Sequence, residues 1–363
     1  MKRMIAIMTL LTILLTFNST YATDNESVGS LEPNTAYTVA KLQEIAEGSS
    51  RQALVDDVDI KKKEMSVRTV TADTGAMSDS IRSITKPMDV KLELEAAKRT
   101  KQDHLNQLKV DVYKAAMNIQ LSGKEIALQE QKHTLANDKL EMAKARFKAS
   151  TITQDDLDSA QYNVESSKVN LTTAKEKRNA LYLELKSLLN QPLDTAPVKI
   201  TEDLKLVAFE DLDVDFALNS LYKTETSVYK ASGKLDIAQT AMDIAAKLYR
   251  KGDLAYDNSV LDLNEAKLDL AGARTALDVK VKNKYNDLVN KLDNVELAGK
   301  YSELAQKKLA NAQIKFDKGT ISKEAYMSIK EASLDAEYAK FSAFVDFNGA
   351  REEFRNMLGL GST

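Results

Sequence analysis

The stretch Phe147-Lys148-Ala149-Ser150-Thr151-Ile152-Thr153 returns 169 residues later as Phe316-Asp317-Lys318-Gly319-Thr320-Ile321-Ser322. Each copy ends one helical pattern and starts another. Thr153 is a candidate helix N-cap, and Asp156, three positions on, completes a pattern resembling a capping box. The apolar seam after it runs Leu157, Ala160, Val164, Ser167, Leu171, Ala174, Arg178, Leu181, Leu185 and Leu188, alternating steps of three and four without a slip. At the same offset the seam becomes Tyr326, Ile329, Ser333, Ala336, Lys340, Ala343, Phe347, Ala350, Phe354 and Met357, and Leu189 meets Leu358.

Backwards from the turns, Leu92, Leu94, Ala97, Lys98, Leu108, Leu128, Leu135 and Ala143 meet Leu261, Leu263, Ala266, Lys267, Leu277, Leu297, Leu304 and Ala312. An ungapped repeat of roughly a hundred residues is an internal duplication. In the first copy Leu105, Leu108, Val112, Ala115, Ile119 and Ile126 form a coiled-coil-like seam. A helix from about Met88, just after Pro87, to Phe147 would be ~90 Å long, too long for most globular domains to bury. The fold class is therefore all-α, with two long antiparallel helical hairpins and little or no β.

A shorter helix is expected before each hairpin. Thr35 to about Val67 reads as helical, with a break near Gly48-Ser49-Ser50 and an apolar face of Val39, Leu42, Ile45 and Ala46. Ala40 and Ile60 pair best with Ala217 and Ile237, an offset of 177, so the copies differ by eight residues between short and long helix. Arg68 to Lys86, rich in Thr, Ser, Asp and Gly, reads as a loop or a pair of short strands. Tyr249 to Asn258 is shorter, and there the second copy runs nearly helix into helix. Pro192, Pro197 and a β-leaning Val198-Lys199-Ile200-Thr201 mark the linker between the copies.

The chain opens with Lys2 and Arg3, an apolar run from Met4 to Phe17 and Thr20-Tyr21-Ala22, the pattern of a secretory signal peptide. The run is short of the ~20 apolar residues of a permanent span, so cleavage after Ala22 is expected. The organisation is thus signal peptide 1–22, flexible lead-in 23–34, first repeat 35–190, linker 191–214 and second repeat 215–360. Without cysteine, disulfides, thiolate metal sites and lipoprotein anchoring are excluded. The net charge of -3 becomes -5 once Lys2 and Arg3 leave, which offers nothing to nucleic acid.

No nucleophile–base–orienter set, phosphate-binding glycine loop or zinc motif occurs, so neither an enzyme nor a cofactor is expected. His104 and His133 lie eight turns apart without paired acids and read as solvated helix faces rather than metal ligands. Asp155, Asp156 and Asp158 suit a helix N-terminus, or a cation-attracting ring once repeated around a symmetric tunnel. Arg178 and Lys340 sit on the seams, where their stems can pack while the charged ends reach out; a bound anion is the other reading.

A duplicated unit of short helix, insert, long helix, turn and long return helix resembles the TolC family of outer-membrane efflux proteins. The family's turn reads aromatic, two residues, Gly, one residue, Ile or Val, then Ser or Thr, with an Ala-rich return helix ending in Leu-Gly. Phe316 to Ser322 and on to Leu358-Gly359 fits; Phe147 to Asn190 fits with Ala149 taken in place of the first Gly and Asn190 in place of the last.

The resemblance implies a homotrimer whose chains curve into a twelve-strand helical tunnel, a passive duct joined to an inner-membrane pump by a periplasmic adaptor of the membrane fusion protein class. It places the adaptor-docking tips at Ala149, Ser150, Thr151 and Ile152 and at Lys318, Gly319, Thr320 and Ile321. It also implies an acidic constriction after the second turn. Glu324 keeps that charge and Met327 does not, while Asp155 and Asp158 carry charge after the first. The family's inserts hold paired transmembrane strands of ~9 to 11 residues each. Arg68 to Lys86 is barely long enough for one pair and Tyr249 to Asn258 is too short, which argues against a membrane barrel. The alternative is an exported coiled-coil scaffold or adaptor that makes no pore. Location follows as outer membrane or periplasm by resemblance, otherwise extracytoplasmic and wall-associated.

Overall fold

The computed structural model describes residues 31, 35–73, 80–194, 198–208 and 214–360. The signal peptide, and the lead-in apart from Leu31, lie outside them. The described elements are β1 (Ala36–Tyr37), α1 (Val39–Ser49), α2 (Arg51–Asp73), α3 (Ser80–Lys148), α4 (Gln154–Leu188), β2 (Lys199–Ile200), α5 (Val214–Thr224), α6 (Thr226–Leu248), α7 (Leu254–Asp317) and α8 (Lys323–Met357). Among the described residues the regular structure is helical, apart from one two-residue parallel pairing of β1 with β2.

The duplication is written in the element lengths. α1 and α5 each have 11 residues, α2 and α6 each 23, and α4 and α8 each 35. The four boundaries of α1 and α2 recur 175 residues later in α5 and α6, not 177, so the copies differ by six residues rather than eight.

All ten seam positions of α4 and all ten of α8 are buried or half-buried, as the spacing predicts. They pack each return helix on its long partner, α4 on α3 and α8 on α7. Side by side in the half nearest the hairpin turns, the order is α4–α3–α8–α7; in the other half it is α2–α3–α6–α7. The result is one sheet of helices, about 100 Å long along the 69-residue α3. α7 forms one edge, and α2 with α4 the other.

Mid-length, each copy has its own core. In the first, Leu42, Ile45 and Ala46 of α1 meet Val112, Ala116 and Ile119 of α3 and Leu185 and Leu189 at the end of α4. In the second, Leu218 and Leu221 of α5 meet Val281 and Leu288 of α7 and Phe347 and Phe354 of α8. The linker straps the two cores together. Ile200 is buried in the first core, where Gln120 Nε2 donates to its carbonyl at 2.6 Å. Further along, Asn348 of α8 donates to Lys205 O at 2.7 Å and accepts from Val207 N at 3.1 Å.

Three expectations need correction, and two hold. The first helix begins at Val39, not Thr35, because Ala36–Tyr37 pairs with the linker and Thr38 caps α1 by accepting from Lys41 N at 3.2 Å. Its expected break is Ser50, whose hydroxyl caps α2 by accepting from Ala53 N at 3.1 Å. The strand-or-loop reading of Arg68 to Lys86 fails on both sides, since α2 runs to Asp73 and α3 starts at Ser80. A lone strand pair has no sheet to join and is marginal in water, whereas each helix here has α3 or α2 to lie against. Pro87 therefore falls inside α3, forgoing one backbone bond near the helix start. The second copy does run nearly helix into helix, with Tyr249 to Asp253 alone between α6 and α7.

Candidate functional site at the hairpin tips and open edges

The two tips share one backbone solution. At the first, Ser150 N donates to Phe147 O at 2.9 Å and Thr151 N to Arg146 O at 2.9 Å; at the second, Gly319 N donates to Phe316 O and Thr320 N to Lys315 O, both at 2.8 Å. This closure needs a residue with positive φ, and those residues are Ser150 (56°) and Gly319 (69°). Ser150, not Ala149, thus stands where the glycine belongs. Asn190 (50°) and Gly359 (71°) form the corresponding pair after α4 and α8.

The return helices start on strong caps. Thr153 Oγ1 accepts from Asp156 N at 3.2 Å while Asp156 Oδ2 accepts from Thr153 N at 2.9 Å, the reciprocal capping box. The backbone bond from Thr153 holds the Asp156 carboxyl below the usual carboxylate range. Ser322 Oγ accepts from Ala325 N at 3.1 Å in the second copy. Ala149, Ser150 and Thr151, and Lys318, Gly319 and Thr320, are exposed; Ile152 and Ile321 are half-buried beneath them.

The acids expected at a constriction are placed differently from one another. Asp155 and Asp158 are exposed, and Asp158 accepts from Gln154 Nε2 at 2.7 Å. Glu324 is engaged by Arg146 of the other hairpin at 2.8 Å.

That ion pair is the first rung of a ladder which the sequence reading missed. Along the α3–α8 contact follow Lys139–Glu331 at 2.9 Å and Lys132–Asp335 at 2.6 Å, then Tyr338 hydroxyl to Glu125 at 3.4 Å and Lys124 over the Phe341 ring at 4.7 Å. Burial and the Glu125 carboxylate push the Tyr338 hydroxyl up to about 12. At mid-length Lys114 and Lys284 both hold Glu353. Burial alone would raise the Glu353 carboxyl; the two lysines outweigh it and keep it low. Lys132, Lys139 and Arg146 stand at seven-residue steps, which is the signal that could have revealed the ladder.

Each hairpin is held by its apolar seam, with ion pairs such as Lys177–Glu125 and Lys284–Glu353 beside it, whereas near the tips the contact between the hairpins carries the Arg146, Lys139 and Lys132 pairs. The pairs near the tips are partly exposed, and such pairs are worth about 0.2–1 kcal/mol each. The seam between the hairpins is therefore the weak one. Reversing Lys139→Glu and Arg146→Glu should let the tips part by about one helix diameter, ~10 Å. Spin labels on Ser150→Cys and Thr320→Cys, in a chain without native cysteine, would report the distance. Adding Glu331→Lys and Glu324→Arg should restore it, and an unchanged distance in the reversed pair would refute the weak-seam assignment.

The seam cations found aromatic partners. Arg178 lies over the Tyr182 ring at 5.5 Å and Lys340 over Phe344 at 5.6 Å, each one turn along its own helix. Both histidines also bridge helices: the exposed His104 meets Asp56 Oδ2 of α2 through Nδ1 at 2.9 Å, and the half-buried His133 meets Ser167 Oγ of α4 through Nδ1 at 2.8 Å. Among the described residues no group of three His, Cys, Asp or Glu is placed to hold a metal.

The open edges carry the other missed feature. At 100° per residue, Leu261, Leu268, Val279, Leu297 and Leu304 of α7 fall within about 20° of one line, and all five are exposed, Leu268 by 73% and Leu297 by 66%. On the opposite edge Tyr162 (72% exposed) and Val169 of α4, and Leu54, Val58 and Met65 of α2, are exposed as well. Exposed apolar stripes of this extent mark surfaces suited to a protein contact.

A sheet of two helical hairpins lying side by side defines a fold class. Solved structures of that class match this chain. The CusC structure, titled for transmembrane channel formation, aligns over 92% of this chain and 95% of its own at 11% identity and TM-score 0.70. The outer membrane protein VceC of Vibrio cholerae aligns over 89% and 96% at 11% identity and TM-score 0.68. The open-state MtrE outer membrane channel of Neisseria gonorrhoeae aligns over 88% of each chain at 15% identity and TM-score 0.62. The fold is that of the TolC-family outer-membrane channels. No protein-family profile matches the sequence, and no curated protein does.

Proposed function

We propose that the chain is the protomer of a passive export duct, three copies of which close edge to edge into a helical tunnel. The observation that carries this reading is the pair of exposed apolar stripes on opposite edges of a sheet with the channel fold. A head-to-tail contact of α7 on the next copy's α4 and α2 covers both stripes and, on closing, leaves no free edge. Chemistry is supplied elsewhere: an inner-membrane pump drives transport and an adaptor docks on Ala149–Ile152 and Lys318–Ile321. The seam between the hairpins is the line along which the tip end would widen, and Asp155 and Asp158 are the acids still available to a constriction there. Location at the outer membrane or in the periplasm goes with this reading.

One observation favours the alternative of an exported scaffold. Between α6 and α7 only five residues intervene, and among the described residues there is no strand at that end. Multi-angle light scattering and planar-bilayer conductance on the chain from Thr23 separate the two. A trimer that conducts is expected for the duct. A strict monomer would sink the duct reading, and a non-conducting trimer would favour the scaffold.

A further inference from the structure

The end of the sheet opposite the tips holds the turn between α6 and α7. Lys230 pairs with Glu93 at 2.8 Å and Thr224 O accepts from Arg99 at 3.0 Å, so α6 runs antiparallel to α3 and ends level with the α3 start. There α6 passes into α7 through Tyr249–Asp253. The acids of this turn are exposed but each is tied to its backbone: Asp253 Oδ2 accepts from Arg250 N at 2.7 Å and Asp257 Oδ1 from Gly252 N at 3.3 Å. Its bases face out, for Lys247, Arg250 and Lys251 are exposed. Apolar groups adjoin them in the chain, with Leu254 77% and Leu248 54% exposed and Tyr249 exposed as well.

We propose that this end rests on an anionic phospholipid surface, with Leu248, Tyr249 and Leu254 entering the headgroup zone and Lys247, Arg250 and Lys251 on lipid phosphates. Exposed Leu and Tyr flanked by bases match the interfacial layer, where aromatic rings and apolar tips are wetted on one side and cations meet phosphate. Charge disfavours the other obvious occupant, since a second copy meeting this end symmetrically would bring together two turns in each of which Lys247, Arg250 and Lys251 outnumber Asp253 and Asp257. The contact needs no membrane-crossing element, and among the described residues no helix is long and apolar enough to cross. It also does not depend on the duct reading, although a closed ring would present the turn three times and gain avidity.

Flotation of the chain from Thr23 with phosphatidylcholine vesicles, with and without phosphatidylglycerol, tests this. Binding is expected to the anionic vesicles alone and to be released by salt. Arg250→Glu with Lys251→Glu should weaken it on the order of tenfold or more, since each base contributes severalfold near an anionic surface; Leu248→Ser with Leu254→Ser should weaken it independently. Circular dichroism checks that the variants stay helical, and the charge variant, altering only exposed side chains, keeps the test valid should the apolar one misfold. Failure to float with anionic vesicles, equal flotation of the charge variant, or end-on self-association through this turn would each overturn the proposal. Light scattering on the same samples keeps the readings apart: a trimer that does not float refutes the lipid contact and spares the duct, and a floating monomer does the reverse.

Discussion

Leu268→Asp combined with Leu297→Asp is expected to leave a fully helical chain that no longer assembles. Both side chains are largely exposed in the single chain, so the monomer loses no packing and its thermal unfolding should barely move. In a ring each would be covered by the neighbouring copy. Fully burying a leucine is worth about 1.5–3 kcal/mol, and a buried unpaired carboxylate costs more on top. Two such losses at every interface weaken association by at least about a thousandfold, since ~1.4 kcal/mol is tenfold.

The geometry of the edges makes the prediction stricter. α7 can cover its stripe with α4 and α2 of the next copy or with another α7, and these differ in symmetry. In the head-to-tail arrangement, Tyr162→Asp with Val169→Asp on the opposite edge should be monomeric as well. Mixing the two variants would then bring one intact α7 edge to one intact α4 edge and give a heterodimer that cannot close. If the contact were α7 on α7, the α4 variant alone would still assemble. Sedimentation velocity of each variant and of the mixture discriminates the two.

Those stripes show what could be read from the sequence and what could not. The seams of α4 and α8 were legible because a three–four alternation must be buried against something, whichever helix provides the cover. The edge residues follow the same rule but have no partner within the chain, so periodicity alone cannot divide Leu268, 73% exposed, from Leu277, which is buried. The ion ladder was hidden because charges at seven-residue spacing are common on any solvated helix. Only the antiparallel register of α3 and α8 turns Lys139 and Glu331 into a pair. The start of α3 was misplaced because Pro87 normally marks a helix beginning, and here one lost backbone bond is tolerated near an exposed end. At the first tip a serine does a glycine's work, which the backbone angle reveals and residue type does not.

Phe347→Ala should be the most damaging single truncation for the fold, and the duplication supplies its control. Phe347 is fully buried in the second core with Phe354, Leu277 and Val281, where removing a ring leaves a cavity costing about 3–5 kcal/mol. Its counterpart at the 169-residue offset is Arg178, half-buried, stacked over Tyr182 and donating to that hydroxyl at 3.2 Å. Arg178→Ala removes a cation–π contact and some packed stem, about 1 kcal/mol. The same seam position thus carries unequal weight in the two copies. Chemical denaturation should show the Phe347 variant several kcal/mol less stable than the Arg178 variant, and equal losses would mean that the two cores are not packed as described. Because α8 also anchors the linker through Asn348, the residue after Phe347, the damage should reach the strap. Hydrogen exchange at Val207 N is expected to rise in the Phe347 variant and to stay unchanged in the Arg178 variant.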